Sequence, residues 1–222
     1  MDIVVLHYYL SVKMRKIVCF DFDGTLINKD SFIELIIFRF GRLRLYLAMM
    51  LFLPWLMMMA FHLYDAGKVK EKICCYFFKG MSIFDFETLC QRFADKLSAS
   101  VNKEVMKMLL TYQRMGCEAF VVSASVRNWI EPLFQMYSSI TIISTEIEIV
   151  HDRLTGRFIT KNCNCSEKVS RIKAAIDGEA DHVYLVAVGD SKGDYPMLCF
   201  ANEGYLVKKN KIKAFHKNET IR

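Results

Sequence analysis

Apolar residues in this chain fall into two patterns, and each predicts a different element. Short unbroken apolar runs that close on a polar residue predict buried strands. Apolar residues spaced three and four apart predict helices lying against them. The first run, Lys16 to Phe22, reads as a buried strand that Gly24 breaks. A helix follows from Ser31, with Asp30 or Ser31 as its cap ahead of "FIELIIFRF". Two more helices are expected over Lys68 to Lys79 and Phe84 to Leu97; in the second, Phe86, Leu89, Phe93 and Leu97 share a face. "NKEVMKMLLTYQRMG" (102–116) predicts an amphipathic helix stopped by Gly116. "CEAFVVSAS" predicts a buried strand ending on Ser123, and "IEPLFQMYS" a helix. "ITIISTEIEIV" and "RFITK" bracket "HDRLTG" as a hairpin. "SEKVSRIKAAI" reads as a helix, "HVYLVAVGDS" as a strand ending at Gly189-Asp190, "DYPMLCFA" as a short helix and "GYLV" as a last strand.

Strands alternating with helices predict an α/β fold: a three-layer, Rossmann-like parallel sheet with helices on both faces. In such sheets the site forms beyond the carboxyl ends of the strands. Three predicted strands end there in polar residues: Asp21 with Asp23, Ser123, and Asp190 with Asp194.

One stretch breaks the alternation. "LYLAMMLFLPWLMMMAFHLY" (45–64) carries no charge over twenty positions, which is long enough for a membrane span. Arg39, Arg42 and Arg44 precede it, Lys68, Lys70 and Lys72 follow, and Pro54 interrupts it. A single crossing would put Asp21 on one side of the membrane and Ser123, Lys168 and Asp190 on the other. So the stretch does not cross once. It is either a helix hairpin bent at Pro54 or a buried or interfacial helix.

Composition changes the picture little. Of a net charge of +6, the last fifteen residues supply +5, so the basic balance describes a tail, and nucleic acid is not the expected partner. The eight cysteines are scattered, several inside apolar runs, which favours a reducing intracellular compartment over a disulfide framework. Cys163 and Cys165 lack a second ligand pair for zinc. Residues 1–13 lack a basic start and a cleavage site, and read as an extension ahead of Met14-Arg15-Lys16.

The polar strand ends suit phosphoryl transfer, which needs a nucleophile, neutralisation of phosphate oxygens and an acid for the leaving group. Asp21 supplies a carboxylate nucleophile. Asp23, two residues on, can reach the leaving oxygen. Gly24 lets the backbone approach phosphate. Thr25 and Ser123 offer hydroxyl donors, and Lys168 a fixed positive charge. Asp21, Asp23, Asp190 and Asp194 would repel one another without a cation, and an all-oxygen ligand set with a phosphate substrate suits Mg²⁺.

"DFDGT" (21–25), Ser123, Lys168 and "GDSKGDYPML" (189–198) resemble, in order, the four motifs of the haloacid dehalogenase (HAD) superfamily, in its phosphoserine-phosphatase-like branch. The resemblance spans Ile17 to about Val207. It implies that Asp21 forms an aspartyl-phosphate and ligates Mg²⁺. Asp23 would be acid and then base, with its backbone carbonyl on the metal. Asp190 would be a further ligand and Asp194 a support or ligand. It also implies a core of residues 14–28 and 98–222, with 29–97 as an inserted helical cap that selects substrate. "INKDSFIEL" departs from the amino-acid-reading pattern. The apolar cap is similar to that of the bacterial phosphatidylglycerophosphatase C group. The reading that follows is a phosphatase acting on a phospholipid headgroup at the inner face of the cytoplasmic membrane. Set against it are a soluble small-molecule phosphatase, a phosphotransferase and a non-catalytic membrane-associated adaptor.

Overall fold

In the computed structural model, which describes residues 14–137, 139–177 and 182–217, the strand β1 (Arg15–Phe20) lies at the centre of a six-stranded sheet. Its order is β3-β2-β1-β6-β7-β8, with β2 Glu118–Val126, β3 Ile140–Thr145, β6 Val183–Gly189, β7 Glu203–Lys208 and β8 Lys211–Phe215. All pairings are parallel except β7 with β8. Ile17 and Cys19 of β1 face one apolar cluster, and Val18 and Phe20 face the other. A strand covered on both faces has no polar side, which is why its sequence is an unbroken apolar run.

Helix α7 (Ser166–Ala175) and α8 (Tyr195–Phe200) cover one face through Ile172, Met197 and Leu198. On the other face lie α5 (Lys103–Arg114), α6 (Arg127–Phe134) and the segment inserted between β1 and β2. The insert is helical: α1 Ser31–Leu51, α2 Leu53–Ala60, α3 Ala66–Phe78 and α4 Ile83–Ser98. The Asp30 side chain caps α1 by accepting from the Ile33 N–H at 3.0 Å. Phe86, Leu89, Phe93 and Leu97 are the buried face of α4.

Two expectations need correcting, and a third feature is new. The run 140–150 is two strands: β3 joins the main sheet, while β4 (Ile147–Val150) pairs antiparallel with β5 (Arg153–Phe158) in a separate hairpin. The turn is only His151-Asp152, both in the left-handed region at φ 48° and 58°, as a tight hairpin requires. The hairpin docks on the insert, where Leu154 N–H donates to Met81 O and Ile83 N–H to Asp152 O. Next, the basic run does not simply trail away. Lys211 to Phe215 form the antiparallel edge strand, and lysines on such an edge discourage pairing with another chain. Finally, α1 is broken at Gly41, whose φ of 82° and ψ of 162° are open to glycine alone, so 31–40 and 42–51 run in different directions.

The apolar stretch is bent too. α1 and α2 meet at 66°, with Pro54 in the first turn of α2, where its missing N–H costs nothing. No single helix among the described residues is long and apolar enough to cross a membrane, but this bent pair passes that test by length and composition. Its inner side buries Leu45, Ala48 and Phe52. Its outer side carries Leu43 (72% exposed), Tyr46, Leu47, Met50 (72%), Leu51, Leu53 and Met57, and α2 buries none of its residues. Residues 1–13 lie outside the described residues, as does the tail beyond 217.

Candidate active site

Asp21 is the first residue beyond β1, and its N–H donates to the Val188 carbonyl of β6 at 2.8 Å. The sheet order reverses between β1 and β6, so Asp21 stands at the switch point, where open α/β sheets hold their ligands. The turn that follows is tight, with Ile27 N–H donating to Phe22 O at 3.0 Å. Gly24 takes φ 78° in this turn, and a Cβ there would collide with the Asp190 carboxylate. The glycine is therefore required by how closely the first and last motifs approach, besides any room it leaves for a phosphate.

Lys168, in the first turn of α7, joins the centre. Its ammonium donates to Asp21 Oδ1 at 2.5 Å and to Asp194 Oδ1 at 2.6 Å. Lys168 is 2% exposed and Asp194 1%, so these are buried charges that must be paired. Asp194 ends a one-turn 3₁₀ segment, Lys192–Asp194. Its other oxygen, Oδ2, accepts from the Ser191 hydroxyl at 2.9 Å and from the Ser191 and Asp190 N–H groups at 3.1 Å. Both of its oxygens are thus occupied, which makes Asp194 a support for Lys168 and for the 190–194 loop.

Carboxylate oxygens of Asp21, Asp190 and Asp194 come within 4.8 Å of one another. Three carboxylates share one ammonium, and their pKa values divide accordingly. Burial would raise Asp194, but the Lys168 charge and the hydrogen bonds from Lys168 and Ser191 take it below the usual range. Burial and the Asp194 charge push Asp21 well up, and they push Asp190 up to about 6. Burial would lower Lys168, yet the two carboxylates hold it above the ordinary lysine range. A carboxylate trio short of positive charge, with Asp21 and Asp190 left to offer oxygens, fits a hard divalent cation such as Mg²⁺.

Thr25 and Ser123 are both buried. The Thr25 hydroxyl faces Asp190 Oδ1 at 3.4 Å, and Ser123 Oγ accepts from the Ser125 N–H at 3.0 Å. The Thr25 hydroxyl thus borders the carboxylate trio, while Ser123 ends its buried run on β2, the strand next to β1.

Asp23 stands apart from the trio. Its Oδ1 accepts from the Ser31 N–H at 2.7 Å and its Oδ2 from the Ser125 hydroxyl at 2.5 Å. Behind Ser125 is a relay that the sequence did not reveal. Trp129 Nε1–H donates to Ser31 Oγ at 3.0 Å, and Ser31 Oγ lies 3.0 Å from Ser125 Oγ. Indole is a donor only and Ser125 spends its proton on Asp23, so Ser31 donates to Ser125. All three donors therefore point toward Asp23. Burial and the Asp30 charge raise the Asp23 pKa, opposed by Lys70 and by the two hydrogen bonds. Ser125, Ser31 and Trp129 carry no local signal, because their meaning appears only when β2, α1 and α6 meet. Glu146 pairs with Arg127 at 2.7 Å and fixes the start of α6.

Cys163 is buried and Cys165 exposed, and among the described residues the aspartate trio is the one group arranged to hold a metal.

Residues 18–199 match the family model described as haloacid dehalogenase-like hydrolase. Protein CicA of Caulobacter vibrioides is 29% identical over 204 residues, which cover 88% of this chain and 87% of that one. A protein with unknown function from Bordetella pertussis Tohama I superposes with a TM-score of 0.74 at 18% identity, covering 86% of this chain and 89% of that chain. A phospho-aspartyl intermediate analogue of phosphoserine phosphatase does so with a TM-score of 0.58 at 16% identity, covering 86% of each. At these identities the solved structures demonstrate a shared fold.

Proposed function

The chain belongs to the haloacid dehalogenase-like hydrolases, and from that premise we propose that it is an Mg²⁺-dependent phosphatase whose nucleophile is Asp21. The observation that carries the reading is the buried Lys168 ammonium bound at once to Asp21 and Asp194, at the switch point of the sheet. It holds the Asp21 carboxylate in one orientation and places a positive charge where phosphate oxygens would lie.

The chemistry follows from the residues. A carboxylate oxygen of Asp21 attacks phosphorus, and the bond from phosphorus to the leaving alcohol oxygen breaks. Asp23 gives its proton to that oxygen; burial and the Asp30 charge raise its pKa above the usual carboxylate range, which favours the protonated form. Water then attacks the aspartyl-phosphate, Asp23 takes a proton from the water, and inorganic phosphate leaves with Asp21 restored. Thr25 and Ser123 donate to phosphate oxygens. Mg²⁺, held by Asp21 and Asp190 with the backbone carbonyl of Asp23, would offset the negative charge that Lys168 alone cannot.

The substrate we propose is a phosphomonoester on a lipid headgroup, the class of phosphatidylglycerophosphate, met at a membrane surface. The support is the outer face of α1 and α2, where exposed apolar side chains run from Leu43 to Met57, followed by Leu63 (76% exposed) just past α2 and preceded by exposed Arg39 and Arg42, with exposed Arg44 among them. An apolar face with a cationic fringe suits the interface of an anionic bilayer, each basic residue adding about 1 kcal/mol near the headgroups. Beside it is a recess of about 600 Å³ lined by Phe52, Trp55, Cys75 and Tyr76 together with Glu71, Lys72 and Arg157.

Phosphate release is measured from phosphatidylglycerophosphate in mixed micelles, from phosphoserine and from a sugar phosphate, with and without Mg²⁺. The expected result is Mg²⁺-dependent release, fastest from the lipid, and about a thousandfold slower in Asp21→Asn. Release that survives in Asp21→Asn refutes the nucleophile. Release from phosphoserine alone refutes the lipid.

A further inference from the structure

Lys70 enters the site from α3, on the inserted segment. Its ammonium donates to the Ala124 carbonyl at 3.0 Å and lies 5.3 Å from the centroid of the Phe32 ring. That carbonyl also accepts from the Thr145 hydroxyl at 2.9 Å, so it is a fixed point on the floor between Ser123 and Ser125. An ammonium has three N–H donors, and Ala124 takes one. Lys168 is committed to Asp21 and Asp194, whereas Lys70 has no ion-pair partner among the described residues. Burial pulls its pKa down, and the charges of Asp23 and Asp30, ahead of Asp21, hold it up. A half-buried cation with unspent donors is costly to keep unless a ligand completes it.

The side of the site decides what that ligand is. The Ala124 carbonyl that Lys70 holds immediately precedes Ser125, whose hydroxyl donates to Asp23 Oδ2 at 2.5 Å, so Lys70 lies on the Asp23 side of the site. Asp23 is the group that protonates the leaving oxygen, so Lys70 stands beside the leaving alcohol. The transferred phosphoryl group meets Lys168 instead.

We propose that Lys70 is a specificity-determining residue that binds an anionic group carried by the leaving alcohol. The favoured substrates are then phosphomonoesters with a second negative charge near the scissile ester, either a carboxylate or a phosphodiester. This rests on the phosphatase reading above and narrows its substrate class.

The test uses matched substrates and the full chain with Mg²⁺. Glycerol 3-phosphate has a neutral leaving alcohol, 3-phosphoglycerate the same skeleton with a carboxylate, and glycerophosphoglycerol phosphate a phosphodiester. The wild type is expected to show kcat/KM at least tenfold higher for the two anionic alcohols, mainly through KM. In Lys70→Met that ratio falls at least tenfold, and Lys70→Arg keeps most of it. The Tm of each variant shows whether it is folded. The diacyl lipid bearing the same phosphodiester, in mixed micelles, is compared with its deacylated headgroup. Loss of the preference for both in Lys70→Met supports the inference whether the anion belongs to a lipid or to a free metabolite. Equal efficiency of the wild type on neutral and anionic alcohols overturns the inference and leaves the phosphatase standing, as does an unchanged ratio in folded Lys70→Met. No turnover of any phosphomonoester, p-nitrophenyl phosphate included, overturns the phosphatase reading and this inference with it.

Discussion

Beyond the ends of the strands, charge is buried; along the outer face of α1 and α2, apolar surface is exposed. At the strand ends, Lys168, Asp21 and Asp194 are almost wholly removed from water, and each charge has named partners at hydrogen-bond distance. On the insert, leucine and methionine side chains stand more than half exposed. Both arrangements oppose the ordinary partition of residues, and each needs compensation. The strand-end charges find much of theirs inside the chain, in Lys168 and the hydrogen bonds around Asp194. The apolar face finds none among the described residues, and covering it would release about 25 cal/mol for each Å² removed from water. The contrast separates a region compensated largely from within from one compensated only by a partner.

The largest effect expected from this contrast lies at the strand ends. Lys168→Met leaves three carboxylates around no cation, and removing one member of a buried ion pair costs roughly 3–5 kcal/mol. Phosphate release should fall about a thousandfold, as the nucleophile loses its orientation and the phosphate its counter-charge. Unfolding by denaturant without metal should show the loss of stability. If Lys168→Met keeps wild-type stability and most of its activity, the strand-end charges are not compensated in the way described.

The next effect lies on the apolar face. Leu47→Glu with Met50→Glu should lower binding to vesicles containing a third anionic lipid by tenfold or more, read by flotation. Turnover of a water-soluble phosphomonoester, measured on the same samples, is the control. A parallel fall in both would mean damaged folding rather than a lost interface. Unchanged flotation would remove the reason for placing the face at a membrane.

How much of this could be read from the chain differs between the two regions for a physical reason. Strands buried on both sides write themselves as apolar runs, and the residues that close them fall at the sheet's carboxyl edge. So Asp21, Ser123 and Asp190 were legible, and the 190–194 loop brought Asp194 with them. The relay from Trp129 through Ser31 and Ser125 was not, since tertiary contact alone defines it. Lys70 looked like one of several lysines on a helix. The break between β3 and β4 falls in a stretch of uniform strand propensity with no Gly or Pro, and β8 was hidden by its lysines. For the insert, an apolar pattern was legible but its direction was not. Periodicity tells which residues share a face, and the rest of the chain decides whether that face looks in or out.

The smallest effect expected is at the residue that sets that direction. Up to Phe40, α1 buries Phe32, Leu35 and Ile36; beyond Gly41 it buries only Leu45 and Ala48 and turns Leu43, Leu47 and Met50 outward. Gly41 makes the change possible with a backbone conformation that costs an L-residue about 1–3 kcal/mol. A Cβ at Gly41 would meet nothing within 4 Å, so Gly41→Ala carries that backbone cost without a collision. The variant should therefore lose a few degrees of Tm. Its vesicle binding should fall only a few-fold, because the apolar side chains remain and only their aim is disturbed. A loss as large as that of the double glutamate variant would mean that the break, rather than the exposed side chains, creates the interface. No loss at all would mean that the outward face does not depend on the break.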